Sequence, residues 1–352
     1  MRKKQSIHDI AKELKVSAAT ISYVLNGKAR EKRISTALEK KILNYVEKYN
    51  YRPNMLAKSL RIGKSKVIAM LVEGIDDPFF ASITRIVEKE MSQKGYKTFF
   101  ASTENDPMVT IELIKVFRDA QVDGFIIAPP PDIEDSLLSL IKDNIPLVLF
   151  DRYFPELETS NVMVDNFQGT YEAMQYFFKL NYKHIGFVTL DSSQIQMSER
   201  LKGYKKAMRE KHLLTCIQKI SFELRQEQKK ITEIIKKFLA KNGHIEAVLF
   251  ATNYLSISGL EAIRILKIKI PNDMAIIGFD DNTHFSLFTP TVTAIAQPVR
   301  ELSDQIVKQL MVRLNGEGAQ APKKTIVLPT RLVVRESSIP TKMITNVQNI
   351  SG

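Results

Sequence analysis

The chain has 352 residues, 44% hydrophobic and 26% charged, enough for two or three domains with substantial cores. Its single cysteine, Cys216, excludes an intrachain disulfide and a cysteine-rich zinc site. The formal net charge is +12, but residues 1–64 hold 16 Lys/Arg against 5 Asp/Glu, a local +11 that leaves only +1 for the rest. An excess confined to one end points to a polyanion partner for that end alone.

At the N-terminus, Met1-Arg2-Lys3-Lys4 is followed by His8, Asp9, Lys12 and Glu13 rather than by an apolar stretch, so no signal peptide is expected. No run reaches the roughly 20 apolar residues of a membrane span. A cytoplasmic protein without a membrane partner is expected.

The spacing of Ile7, Ile10, Ala11 and Leu14 predicts a first helix, with Ser6 as its cap. After a break at Lys15 and Val16, Ser17 can cap a second, carrying Ile21, Val24 and Leu25. Asn26-Gly27 can end it, since both residue types tolerate a left-handed turn. Leu38, Ile42, Tyr45, Val46 and Tyr49 mark a third helix. Three short helices, the first two joined tightly, read as a helix-turn-helix. Small residues open the second helix, Ser17-Ala18-Ala19-Thr20, with Ser22 and Tyr23 one turn on. Small side chains let such a helix sit deep in a major groove, where hydroxyls and N-terminal N–H groups reach phosphates. A three-helix protein-interaction module would explain the packing but not the charge.

Tyr51-Arg52-Pro53-Asn54 breaks the third helix, because proline disfavours helix in the residue before it. A short helix over Met55–Leu60 and a linker at Ile62-Gly63-Lys64-Ser65 follow.

From Lys66 onward, apolar runs alternate with amphipathic stretches. The strand-like runs are Val67–Val72, Thr98–Ala101, Gly124–Ala128, Leu147–Phe150, His184–Leu190, Ala247–Phe250 and Ala275–Phe279. Helices are expected at 79–94, 108–120, 134–143, 168–180, 200–211, 226–241, 256–267 and 299–314. This alternation implies parallel sheets covered by helices, and the length implies two lobes with a cleft. Ligands of open α/β sheets bind beyond the carboxyl ends of strands. Asp77, Asp151-Arg152, Asn253 and Asp280 each follow one of these runs. No Gly-rich phosphate loop, nucleophile elbow or metal-spaced histidine set occurs, so no catalytic residue, metal or cofactor is expected.

These residues resemble one family, the lac repressor (LacI/GalR-type) transcription regulators. The resemblance covers residues 6 to about 338. It is strongest in Ile7-His8-Asp9-Ile10-Ala11, Val16-Ser17-Ala18-Ala19-Thr20-Ile21-Ser22, Leu25-Asn26-Gly27, Asn50-Tyr51-Arg52-Pro53-Asn54 and Ala57-Lys58-Ser59-Leu60. The body adds Asp77-Pro78-Phe79-Phe80, Val148-Leu149-Phe150-Asp151-Arg152, Arg200-Leu201-Lys202-Gly203-Tyr204 and Ile277-Gly278-Phe279-Asp280-Asp281.

The resemblance implies a small all-α helix-turn-helix head and an α/β two-lobed body like periplasmic sugar-binding proteins. It also implies a homodimer on a near-palindromic double-stranded DNA operator, controlled by a small-molecule effector of the sugar type. The domains are then 1–52 for DNA binding, 53–65 for the hinge helix and linker, 66–338 for effector binding and dimerisation, and 339–352 for the tail. DNA contacts are expected from Ser6, His8, Ser17, Ala18, Ala19, Thr20, Ser22, Tyr23 and Asn26 in the head, with Leu60 as a minor-groove wedge and Arg61 beside it. Effector contacts are expected from Phe79, Phe80, Asp151, Arg200, Phe222, Asn253 and Asp280. The sequence departs from the family pattern at Lys15, where glycine is usual, at Tyr23, where arginine is frequent, and at Tyr254, where aspartate is frequent. The competing reading is a solute-binding protein without a DNA function.

Overall fold

The computed structural model describes residues 6–49, 64–225, 227–317 and 323–340. The chain forms two compact units, residues 1–65 and 66–352. Among its described residues, the first has three helices: α1 (Ile7–Leu14), α2 (Ala18–Leu25) and α3 (Thr36–Lys48). Ser6 opens α1 with a reciprocal cap, its Oγ accepting from the Asp9 N–H at 3.2 Å while Asp9 Oδ2 accepts from the Ser6 N–H at 2.8 Å. Ser17 caps α2 by accepting from the Thr20 N–H at 3.0 Å. Ile10, Leu14, Ile21, Val24 and Ile42 close on one another as a small core joined by Ala29. Of the Asn26-Gly27 pair only Gly27 turns left-handed, at φ +69°; Asn26 stays at φ −97° and its amide donates back to the Ser22 carbonyl at 2.6 Å.

Lys15 ends α1 in the left-handed region, at φ 53°. A Cβ there is crowded by the following carbonyl, at roughly 1–2 kcal/mol. Part of that gain is lost to the greater freedom of an unfolded glycine. Lys15→Gly should therefore stabilise the head by about 0.5–1 kcal/mol. Slower hydrogen exchange of the α1 and α2 amides would show it, and unchanged exchange would mean that no strain is held at Lys15.

In the second unit, two six-stranded sheets define two lobes. The first contains β1 (Val67–Val72), β2 (Lys97–Ser102), β3 (Gly124–Ile127), β4 (Leu147–Phe150), β5 (Ser160–Val164) and β11 (Thr325–Leu328), all parallel, in the order β11-β5-β4-β3-β1-β2. The second contains β6 (Ile185–Asp191), β7 (Cys216–Ser221), β8 (Ala247–Phe250), β9 (Ala275–Phe279), β10 (Thr293–Ala296) and β12 (Arg331–Val333), in the order β12-β10-β9-β8-β6-β7. Only β12 runs antiparallel to its neighbour. The inner strands β3, β4, β8 and β9 are buried along their whole length, which is why they read as unbroken apolar runs. The chain passes between lobes three times, after β5, after β10 and between β11 and β12. These connections run beside the strand ends that carry polar residues.

The central strands stand where apolar runs predict them; β5, β7, β10, β11 and β12 are strands that no such run predicts. Each of these is short or carries polar residues, such as Ser160 and Asn161 in β5 and Gln218 and Lys219 in β7. The helix expected from residue 200 begins instead at Ile195 and runs to Glu210. Its first turns bury Gln196 and Arg200 as well as Met197, so the inward face is not apolar enough to show as a helical stripe. Likewise the helix expected at 256–267 spans Asn253–Ile265, with Thr252 as its cap. Gly259 lets this helix lie directly on β8, for a Cβ there would stand 2.1 Å from Phe250 Cζ.

Candidate functional site

In the head, the expected contact residues fall on the exposed side of α2 and at the start of α1. Ser6, His8, Ser17, Ala19, Tyr23 and Asn26 are exposed, and Ala18, Thr20 and Ser22 are half-buried. Ser6 and Ser17 already serve as helix caps, and Asn26 returns to the turn before it. These positions present the His8, Ala19 and Tyr23 side chains outward beside the N-termini of two helices, each carrying the positive end of a helix dipole. Leu60 and Arg61 lie outside the described residues.

In the body, the polar residues of both lobes converge. Glu73 and Asp77 follow β1, Asp151 and Arg152 follow β4, Asn253 follows β8, and Asp280 follows β9. Asp77 caps the helix Pro78–Gln93 through the Phe79 N–H at 2.8 Å, and its other oxygen accepts from Asn253 Nδ2 of the opposite lobe at 3.2 Å. Two more polar links join the lobes: Gln194 Nε2 donates to Asn105 Oδ1 at 2.9 Å, and Arg225 donates to the Glu104 carbonyl. Arg152 donates to Glu73, Asn105 and Asp151. Arg200 donates to Asn166 Oδ1 at 2.8 Å and the Ala251 carbonyl at 2.6 Å, and stands 3.7 Å from Asp280 Oδ2. Its guanidinium lies 3.5 Å from the centre of the Phe279 ring. The half-open space between these groups is about 50 Å³, well below the roughly 300 Å³ of an ordinary small-molecule pocket. A recess of about 370 Å³ adjoins it, sharing Phe79, Asn253, Asp280 and Gln297 as walls. With the interlobe links made, the body is closed on its own polar residues.

Residues 6–54 match the sequence pattern of bacterial regulatory proteins of the lacI family, and residues 174–338 match a periplasmic binding protein-like domain. The transcriptional regulator KdgR of Bacillus subtilis is 30% identical over 352 residues, spanning 96% of this chain and all of the relative. The chain belongs to the lacI family of bacterial regulatory proteins. A second regulator from Bacillus subtilis, DegA, is 29% identical over 96% of this chain and 99% of its own length. The lac repressor dimer bound to operator and an anti-inducer shares the fold, with a TM-score of 0.80 at 20% identity over 96% of this chain and all of that one. A lacI-family regulator from Enterococcus faecium with bound ribose is 25% identical, with a TM-score of 0.69 over 78% of this chain and 99% of that one. This lacI-family member is accordingly a DNA-binding transcription regulator and not an enzyme. Among its described residues no helix is long and apolar enough to cross a membrane, and no group of three acidic, histidine or cysteine side chains is placed to hold a metal.

Of the regulator's seven expected effector residues, all border the cleft, but in different ways. Asp151, Asn253 and Asp280 stand at strand ends, Asp151 and Asp280 with left-handed backbones at φ 63° and 68°. Phe79 and Phe222 are half-buried at its edge. Phe80 is buried in the lobe core, with its ring edge-on to Phe150 at 6.1 Å, and reaches the cleft only from within that core. Polar cleft residues not expected from the sequence include Glu73, Gln194, Gln196, Thr252 and Gln297. Glu73 directly follows β1 and could have been found by the strand-end rule that selected Asp77. The glutamines lay where no helix or strand was expected.

Burial pushes the Asp77 carboxyl from its ordinary 3.8 up to about 6, and the Asp280 charge adds to the rise; the Asn253 amide and the Phe79 N–H oppose it. A folded state that holds this proton more tightly than the unfolded chain is favoured below about pH 4 and loses that advantage as pH rises through 6. Asp77→Asn keeps the helix cap and removes the charge. Without ligand, the variant should be more stable than the parent above pH 6, by up to about 3 kcal/mol, with the gap closing toward pH 4. Urea denaturation between pH 4.5 and 8 checks this, and a gap that is constant with pH would discard the assignment.

Proposed function

We propose that this regulator binds a near-palindromic operator as a homodimer and responds to a small polar effector of the sugar class held between its lobes. The observation that carries the reading is the cleft itself. Polar groups from both lobes meet there, and the links Asn253–Asp77, Gln194–Asn105 and Arg225–Glu104 would have to open or rearrange for a ligand to enter. Ligand binding is thereby coupled to the angle between lobes, the kind of two-state element an effector can bias. Aromatic edges at Phe79 and Phe222 suit the C–H faces of a ring, and Asp151, Asn253 and Asp280 suit its hydroxyls. Structural neighbours hold ribose and cellobiose.

For DNA, the reading assigns the start of α1 and the exposed side of α2 to the major groove, and Leu60 with Arg61 to the hinge that meets the minor groove. For the dimer, the edge strand β2 exposes Phe99 and Phe100, with Ile75 and Met108 also exposed nearby in sequence. Such apolar surface is unfavourable in water unless a second copy covers it. The test is selection of random duplexes on the full chain, followed by titration of the selected duplex with and without a panel of sugars. A near-palindromic winner whose affinity shifts with one sugar is expected. A selection without enrichment removes the operator, and an enriched duplex indifferent to every small polar ligand removes the effector.

A further inference from the structure

We propose that the effector cleft takes a ligand bearing a cationic amine, an amino sugar or a similar aminopolyol, in preference to a neutral or anionic sugar. This rests on the reading of the cleft as the effector site and narrows its ligand class. Four carboxyl groups, Glu73, Asp77, Asp151 and Asp280, border the space against two guanidiniums, Arg152 and Arg200, an excess of two acidic groups, with burial raising the Asp77 and Asp151 carboxyls. Both guanidiniums are engaged inside the protein: Arg152 with Glu73, Asp151 and Asn105, and Arg200 with Asn166, the Ala251 carbonyl and Asp280. The amides also donate inward, Asn253 to Asp77 and Gln297 Nε2 to Asp280 at 2.6 Å.

What the cleft has in surplus is acceptors. Gln196 is only 3% exposed, lines the space, and its Oε1 has no hydrogen-bond partner. A buried carbonyl oxygen left without a donor carries a desolvation penalty that a ligand donor relieves. An ammonium offers three donors, no acceptor and a positive charge, matching both surpluses. A hydroxyl brings an acceptor with each donor and no charge. A phosphate or carboxylate brings only acceptors and adds to the acidic excess. Burial first and the Asp280 charge second push the Asp77 carboxyl up, and an ammonium beside it would oppose both. Phe79 borders the rim half-buried, while the Phe222 ring already carries the Arg225 guanidinium 4.8 Å from its centre.

The test is calorimetric titration of the full-length protein at pH 7.5 with matched probes: glucosamine, glucose, glucose 6-phosphate and glucuronate, and the corresponding galactose and mannose sets. The expected result is that one amine probe binds at least about tenfold tighter than its neutral counterpart, the value of one additional charged hydrogen bond. Asp77→Asn, whose folding is confirmed by its melting without ligand, should lose most of that preference. Added salt should weaken the amine probe and leave the neutral one unchanged. Equal or tighter binding of a neutral or anionic probe overturns the proposal, and if that probe also shifts operator affinity the effector function stands without it. Failure of every probe to bind overturns the proposal and the sugar reading together.

Discussion

Affinity for the selected operator duplex is expected to fall by about 10³–10⁵ between 50 and 200 mM salt, if the paired heads neutralise six to ten phosphates. Lac repressor is itself an illustration of that rule, so the measurement tests this chain rather than the family. The prediction stands on where the charge is. Residues 1–64 carry +11 of the total +12. In the head, Lys12, Lys15, Lys28, Arg30, Lys32, Arg33, Lys40, Lys41 and Lys48 are all exposed. Each phosphate met by one of them releases condensed counterions, giving a log–log slope near −0.9 per phosphate. Residues 66–352 form a compact unit of their own with almost no net charge, so they should bind the duplex with no comparable slope. Fluorescence anisotropy with a labelled duplex, on the whole chain and on residues 66–352, measures both. A body fragment that binds as tightly as the whole chain would falsify the assignment of DNA binding to the head.

Arg200→Ala should cost the body about 3–5 kcal/mol of stability as well as its effector response, the range found when one partner of a buried ion pair is removed. From sequence alone Arg200 reads as a free donor fork for the ligand, with a loss confined to effector response. The structure gives it a second task. Arg200 is 2% exposed and ties together the helix Asn166–Lys179 through Asn166, the end of β8 through the Ala251 carbonyl, and Asp280 after β9. Burial pushes its pKa down while Asp280 and Asp151 hold it up, so the guanidinium and the carboxylates depend on one another. Alanine would leave Asp280 without its ion-pair partner, and the Asn166 oxygen and Ala251 carbonyl without this donor, in a buried setting. Urea denaturation of residues 66–352 with and without the change is the measurement. A loss under about 1 kcal/mol would place Arg200 back among side chains that serve only the ligand.

The head was readable because its determinants are local. Helix caps act over three residues, as Ser6 with Asp9 and Ser17 with Thr20 do, and the core positions recur with the helical period. The Lys15 backbone was legible for the same reason, since a left-handed residue at the end of a helix is a requirement of that one turn. The central strands declared themselves through continuous apolar runs, and the rule that ligands lie beyond strand ends placed Asp77, Asp151, Asn253 and Asp280 in one site.

Tertiary structure alone decided what those residues do to each other. Asn253 meets Asp77 across 176 positions of chain, Gln194 meets Asn105 across 89, and Arg152 meets Glu73 across 79. No periodicity relates such pairs; the crossings between lobes bring the first two together, and the shared sheet of β1 and β4 the third. Phe80 likewise reads as a ligand aromatic until the packing of its helix turns it into the core beside Phe150. The sequence by itself determined which segments are helices and central strands, and where the positive charge lies, because amphipathic period, capping and charge are properties of neighbouring residues. Which donors remain free, which charges balance and how little space the cleft leaves depend on contacts between distant segments, and these exist only once both lobes have folded and closed.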